Sequence, residues 1–422
     1  MCVKFCSPFR EPNVSETAVP VNLHSRQHRP IQSCWLVLLI FCFFLPDEAM
    51  ANSTSRQLFC MYKSQATGAE DYQIEDIPID LCTHVIYYGS FIDGRHYKLS
   101  PWNAQHAFQE KRYQQLADLK KRRPDVKLLV GVKCTINVCE TIANSNDNRE
   151  TFIESAINLL KKYNLDGVAY HWIWRNQRTK HNYPTLIEET KQAFKRAGRE
   201  SWTVSVIGQT KADAIEDGLD QERTCQVADF VVISVLRRTS TDTDVPSPKN
   251  RRSFDTRFNE RYNVVEATKH WINRGCPSEK ILLQIYFSGI KFVLANADDH
   301  GIDAPINRNS SVLPSFMDYN QICSQVREEG WTIDWDGQSM APYAYHGTDW
   351  IGYENENSLA EKAHFAHSEG LGGLVVDGVE KDDYNGVCGK RYPLLTAVRE
   401  HYKTNRETQD NFIVFAIERS FV

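Results

Sequence analysis

Among the residues of this 422-residue chain that could move a proton or hold a ligand, the most informative stand in LDGVAYHWIW, Leu165 to Trp174. If the segment is a strand, Ala169, His171 and Ile173 share one face, because side chains two apart point the same way. A strand that delivers general acids would carry carboxylates there. Only His171 can exchange a proton near neutral pH, and a histidine so placed also suits a satisfied polar core position. Other chemistry-bearing residues fall at the ends of apolar runs. Tyr62 closes QLFCMY, Lys133 and Cys134 follow VKLLVGV, and Trp174 and Arg175 end the segment above. Arg237 and Arg238 follow DFVVISVL, Ser288 follows KILLQIYF, and Asp377 lies in GGLVVDG. The set is basic and aromatic with one plain carboxylate, which suits stacking and charge-assisted hydrogen bonds more than proton transfer. His364 and His367 form an i, i+3 pair with no third ligand in view, so no metal is expected, nor any cofactor.

Bringing those ends together requires a repeated architecture. QLFCMY, CTHVIYYGS, VKLLVGV (Val126–Val132), the segment above, WTVSVIG, DFVVISVL (Asp229–Leu236), KILLQIYF (Lys280–Phe287) and GGLVVDG (Gly372–Gly378) make eight strand candidates. Each is nearly continuous in Val, Ile and Leu, the pattern of a parallel sheet covered by helices. Segments of helical period lie between them, as in TFIESAINLLKKY, where Phe152, Ala156, Leu159 and Tyr163 recur at helical spacing. The expected fold is α/β, a TIM (β/α)8 barrel with a small α+β insertion between strands 7 and 8, since a bare barrel needs about 250 residues. The barrel is expected over residues 56–403, with the insertion at about 291–353 and a helix of its own around Phe316–Glu329. Residues 404–422 form a C-terminal tail of unassigned role.

Residues 1–51 read as a leader and secretory signal peptide. The apolar run CWLVLLIFCFFLP (Cys34–Pro46) follows Arg26 and Arg29 and precedes Ala49-Met50-Ala51, a small-x-small cleavage pattern. The run is shorter than the roughly 20 residues a membrane span requires. Secretion is therefore expected, with no membrane attachment after cleavage; a signal-anchor is the alternative. Of 12 cysteines, eight remain after such cleavage, an even set without paired C-x2-C spacing, which favours disulfides. Asn52 and Asn309 begin tripeptides of the glycosylation form. A net charge of −5 with mixed signs argues against a nucleic-acid partner. A monomer is expected.

Five segments resemble, in order, landmarks of the family-18 glycoside hydrolases, the chitinases and chitinase-like lectins. They are LCTHVIYYGSF, LDGVAYHWIW, KILLQIYFSGIKF, APYAYHGTDWIGYENENSLAEKAHFA and GLGGLVVDGVEKDDYNGVCGKRYPLL. The likeness runs from about Phe59 to Glu400 and places an insertion where that family has one. It implies disulfides Cys60–Cys82 and Cys323–Cys388; Cys134 and Cys139 could close a small loop, and Cys225 and Cys276 are left open. In that family the fourth strand carries Asp-Gly-x-Asp-x-Asp-x-Glu. The Glu protonates the glycosidic oxygen, and the Asp before it stabilises an oxazolinium formed by the substrate's own acetamido group. Here Asp166 and Gly167 remain, while Ala169, His171 and Ile173 replace the three acids.

The resemblance implies further losses. Ser234-Val235-Leu236-Arg237 stands for Met-x-Tyr-Asp, Val132-Lys133-Cys134 for Gly-Gly-Trp, and Ser288-Gly289-Ile290 for Tyr-Gly-Arg. Asp377 replaces the tryptophan that floors the cleaved sugar, and Trp172 matches a tryptophan expected in the barrel wall. The expected function is a secreted, extracellular chitinase-like protein without hydrolase activity. It would bind chitin or a related glycan through Tyr62, Lys133, Trp174, Arg175, Arg237 and Asp377. The basic residues extend that expectation to an anionic glycan. One alternative is a weakly active chitinase using His171, Asp377 or Glu380. The other is an extracellular growth-factor-like or protein-binding scaffold.

Overall fold

The computed structural model describes residues 56–63, 72–101, 106–172, 180–208, 219–234, 263–302, 304–307 and 314–403. The first strands in chain order are β1 (Gln57–Lys63), β2 (His84–Asp93), β3 (Lys98–Pro101), β4 (Lys127–Lys133), β5 (Gly167–His171), β6 (Thr203–Gly208), β7 (Phe230–Ile233) and β8 (Ile281–Tyr286). They are followed by β9 (Ser288–Val293), β10 (Ser315–Asp318), β11 (Thr332–Asp336), β12 (Ala341–His346), β13 (Asp349–Gly352) and β14 (Gly373–Asp377). Eight of them, β1, β2, β4 to β8 and β14, are parallel neighbours and close into a barrel where β1 pairs with both β14 and β2. β3 hangs antiparallel on β2.

Strand alternation divides the core in two. Leu58, Cys60 and Tyr62 of β1 face outward into the layer between barrel and helices, while Phe59 and Met61 face the barrel interior. There they meet Ile86, Leu129, Ala169, Ile207, Val232, Leu282 and Val375. Burial on both faces is why these strands read as unbroken apolar runs. At the lower end, the Phe59 and His84 rings stack at 3.9 Å with Phe230 edge-on at 5.4 Å.

The covering helices include α1 (His106–Arg122), α2 (Ile136–Asn144), α3 (Asn146–Lys162), α4 (Asn182–Arg196), α5 (Gln221–Val227) and α6 (Val264–Asn273). Polar caps fix where several begin: the Ser145 side chain accepts from the Asn148 amide, Asp220 from Arg223 and Asn263 from Glu266. α3 turns Phe152, Ile153, Ala156 and Leu160 to the barrel. Trp172, just past β5, is fully buried against Phe152, Tyr170 and Tyr183, with centroids at 5.7, 5.5 and 6.0 Å. It is a wall residue.

The amino-terminal strand ends are tied by side chains. Asp166 accepts from the Leu128 amide at 2.8 Å and pairs with Lys120 at 2.7 Å; Asp229 accepts from the Val204 amide at 2.8 Å and pairs with Lys191. Gly167 follows Asp166 because the chain presses against β6: a Cβ there would lie 2.0 Å from the Thr203 carbonyl oxygen. The Asp-Gly of LDGVAYHWIW is thus a joint of the fold.

Between β8 and β14 the chain builds a second, antiparallel sheet in the order β10-β9-β13-β12-β11. Only Phe287 separates β8 from β9, so the second sheet starts at Ser288. The helix expected around Phe316–Glu329 is shorter. Ser315–Asp318 is strand β10, and α7 (Tyr319–Gln325) begins only where Asp318 and Gln321 form a reciprocal capping box. α8 (Glu356–Ser368) and α9 (Pro393–Lys403) complete the described chain. Asp382 caps α9 by accepting from the Leu394 and Leu395 amides.

Four disulfides are present: Cys60–Cys82, Cys134–Cys139, Cys225–Cys276 and Cys323–Cys388, with Cα separations of 5.9, 5.9, 5.3 and 6.1 Å. Among the described residues no helix is long and apolar enough to cross a membrane.

Candidate functional site

The inward register of each barrel strand, continued to its carboxyl end, defines the mouth. Phe59 and Met61 lead to Lys63, Ile86 to Tyr88, and Leu129 to Gly131 and Lys133. Likewise Ala169 leads to His171, Val232 to Ser234, Leu282 to Gln284 and Tyr286, and Val375 to Asp377. Ligand sites of such barrels collect at this end.

One side of the mouth is ionic. Lys63 pairs with Asp377, and Lys381, on the 3-10 turn Val379–Lys381, stands 3.8 Å from Asp318. Burial alone would raise the Asp377 carboxyl, but the charge and hydrogen bond of Lys63, aided by Lys381, hold it below the ordinary carboxylate range. Burial outweighs Lys381 at Asp318 and raises that carboxyl. Glu380 is 1% exposed, and neither of its carboxyl oxygens makes a hydrogen bond among the described residues. Burial pushes it up to about 8.

Tyr88 dominates the opposite side. Its hydroxyl lies 3.4 Å from His171 Nδ1, and its ring centroid is 4.8 Å from the Lys133 Nζ. The ring lies over β4 at Gly131, where a Cβ would sit 2.4 Å from it. Burial lowers the His171 imidazole to about 3, with the Lys133 charge adding to the effect, so the ring is neutral at physiological pH. Burial and the Lys63 charge lower the Lys133 ammonium as well, against a partial offset from Asp377. A third group spans β7 and β8, where Ser234 Oγ and the Tyr286 hydroxyl are 2.7 Å apart. Deeper in the barrel, the buried Ser205 hydroxyl, in register with Ala169 across β5 and β6, makes no hydrogen bond among the described residues.

Of the residues singled out from sequence, Ala169, His171, Lys133 and Asp377 share the barrel interior and mouth. Tyr62 does not. It faces outward, is 3% exposed, and its hydroxyl donates to the Tyr72 carbonyl and accepts from Arg112. Strand alternation reserves the inward position for the next residue, Lys63. Asp377 pairs with Lys63. Ile173, Trp174, Arg175, Arg237, Arg238, Asn52 and Asn309 lie outside the described residues.

His364 and His367 take other partners: the His364 ring is edge-on to His401 at 5.1 Å, and His367 Nε2 is 3.2 Å from an Arg56 nitrogen. Cys323, Asp383 and Cys388 gather within 4.8 Å. The two cysteines share a disulfide, and Asp383 is occupied by the Val387 and Cys388 amides, so the cluster is structural. Sequence reasoning missed Lys63 and Tyr88. Lys63 carried a signal, the i, i+2, i+4 register with Phe59 and Met61; Tyr88 lay inside an apolar run and carried none.

A parallel eightfold barrel, with an antiparallel side sheet between its last two strands and a mouth lined by residues at its strand ends, defines the class. The profile of the glycosyl hydrolases family 18 matches residues 57–382, and the chain belongs to that family. It is 28% identical to the endochitinase of Manduca sexta over 381 residues, spanning 84% of this chain and 68% of that protein. It is 26% identical to human chitinase-3-like protein 2 over 375 residues, spanning 83% and 93%. The crystal structure of YKL-39 in the presence of chitooligosaccharides (GlcNAc4) superposes with a TM-score of 0.74 at 25% identity, over 82% of this chain and all of that one. The Group IV chitinase of Ostrinia furnacalis, in complex with allosamidin, shares the fold with a TM-score of 0.73 at 23% identity, over 82% and 98%. The relatives include both chitinases and chitinase-like proteins.

Proposed function

We propose that this protein is a secreted chitinase-like protein whose barrel mouth binds a glycan of the chitin type without hydrolysing it. The observation that carries the reading is the sequence along and just beyond β5, where Ala169 and His171 face the barrel interior and mouth and position 173 lies outside the described residues. By the family resemblance, the three acids would stand at 169, 171 and 173, and this chain has Ala169, His171 and Ile173 there. The chemistry left in place is poorly suited to replace them. With its imidazole lowered to about 3, His171 carries no proton to donate at neutral pH. Asp377 is held ionised by Lys63. The Ser205 hydroxyl, in register with Ala169, makes no hydrogen bond among the described residues, which is consistent with a methyl group where the resemblance implies an acid. Binding of chitooligosaccharides is carried over from relatives such as YKL-39, whose structure was determined in their presence. Secretion, glycosylation at Asn52 and Asn309 and a monomeric state belong to the same reading.

Glu380 favours a second reading, a weakly active hydrolase. A carboxyl raised to about 8 is protonated at neutral pH, as a general acid must be. Its 1% exposure keeps a sugar from reaching it without movement of the 3-10 turn. The test is hydrolysis of a fluorogenic chitobioside beside calorimetric titration with chitohexaose. Binding without turnover above a blank is expected, for the native chain and for Ile173→Glu alike. Turnover that survives purification and is abolished by His171→Ala or Glu380→Gln would replace the first reading with the second.

A further inference from the structure

Among the described residues three lysines border the mouth, and two are engaged with carboxylates: Lys63 with Asp377 and Lys381 with Asp318. Lys133 makes no ion pair with any described residue; its ammonium rests 4.8 Å from the Tyr88 ring centroid. Among the described residues, the remaining titratable groups nearby compensate it only in part, through Asp377. His171 is neutral, Glu380 is protonated at pH 7, and Asp377 is shared with Lys63 and Lys381. Lys63 repels Lys133 directly. A half-buried cation in this position gains more from an incoming anion than a solvated one, because the protein screens the attraction less than water does. A chitin oligomer offers it only neutral hydroxyl and acetamido groups. Resting on the glycan-binding reading above, we propose that the mouth is built for an acidic sugar, with the Lys133 ammonium as the seat of its carboxylate or sulfate.

The experiment uses the secreted chain and four probes in calorimetric titration. They are chitohexaose, a hexasaccharide of alternating N-acetylglucosamine and glucuronic acid, the same hexasaccharide with its carboxyls reduced, and a 6-O-sulfated chitohexaose. At least one anionic probe should bind ten times or more tightly than its neutral counterpart, about 1.4 kcal/mol. Which one does so separates a uronic from a sulfated source. The preference should shrink as salt rises, vanish in Lys133→Gln, persist in Lys133→Arg, and survive Lys121→Gln on the exposed surface. Melting temperatures of the variants show whether each is folded. Equal binding of neutral and anionic probes, or equal losses for both in Lys133→Gln, overturns the proposal. If chitohexaose alone binds, the acidic preference falls and the glycan-binding reading stands; if no probe binds at millimolar concentration, both fall.

Discussion

Putting an acid back at position 169 tests how far the barrel interior has been rebuilt. Ala169 is 4% exposed and belongs to an apolar cluster with Phe59, Met61, Ile86, Leu129 and Val375. In Ala169→Asp the new carboxyl meets one evident polar neighbour, the Ser205 hydroxyl across β6. Holding the carboxyl neutral at pH 7 costs about 4 kcal/mol, from roughly three pH units above its ordinary value at about 1.4 kcal/mol each. A hydrogen bond to Ser205 returns about 1 kcal/mol, and crowding adds a pH-independent 1 kcal/mol or more. The sign follows from linkage. The folded-state pKa is raised, so the unfolded chain ionises first and the penalty grows as pH rises above about 4. Urea unfolding of wild type and variant, followed by tryptophan fluorescence at pH 4.5, 5.5 and 7, should give a difference that rises to about 3–4 kcal/mol at pH 7. A difference that is flat with pH, or below about 1 kcal/mol at pH 7, would mean that an acid-ready pocket persists, and the rebuilt-interior reasoning would fail.

Two further outcomes follow from buried charges. Burial raises Glu380 from 4.5 to about 8, so its stabilising contribution is complete below 4.5 and is lost as pH climbs through 8. Glu380→Gln should therefore gain stability relative to wild type by up to about 1.4 kcal/mol per pH unit between pH 5 and 8, and a constant difference across that window would show the carboxyl to be solvated. Lys362, 3% exposed, donates to both carboxylate oxygens of Glu354, which also accepts from the Ser358 hydroxyl. Lys362→Met should cost about 3–5 kcal/mol in chemical unfolding, with much of it recovered by adding Glu354→Gln; a single-variant loss under about 1 kcal/mol would show that the pair contributes as little as a surface one.

The barrel strands were legible because both of their faces are buried, which leaves an unbroken apolar run whatever the register. The individual strands of the expected α+β insertion were not, for the same physical reason inverted. β11 runs exposed from Thr332 to Trp335 along the sheet's edge, and β10 begins with exposed Ser315 and Phe316. β11 alternates Ile333 and Trp335 with polar residues over only five positions, β10 carries no hydrophobic period, and the helix expected from Phe316 starts only at Tyr319. In the mouth, Lys133, His171 and Asp377 could be placed because each ends an apolar run. Tyr62 ends an apolar run too, but it lies one residue short of the position that faces inward. With a side-chain period of two, one residue is the whole difference between wall and mouth. Tyr88 becomes visible only once β2 lies beside β4 and the missing side chain of Gly131 makes room for its ring. No spacing along the chain encodes that.

The two ends of the barrel answer to different constraints, and this bears on how a binding function could replace a catalytic one. At the lower end Asp166 and Asp229 are structural: each accepts a strand amide and a lysine, and Gly167 is held by backbone contact with Thr203. Changing these would cost the fold. At the mouth the reverse holds. Carboxyls at 169 and 171 would, on the proposed reading, be like groups forced together away from water, and Ala169 and neutral His171 avoid that desolvation penalty in the interior. On the proposed reading, losing the acids would therefore meet little resistance from folding. Asp377 is a mouth carboxylate paired with a cation, and Lys63, half-buried, would lose that partner without it. An acid paired with Lys63 where the resemblance implies a tryptophan, beside acid positions given over to apolar or neutral side chains, is what selection for a bound ligand and a stable barrel would leave.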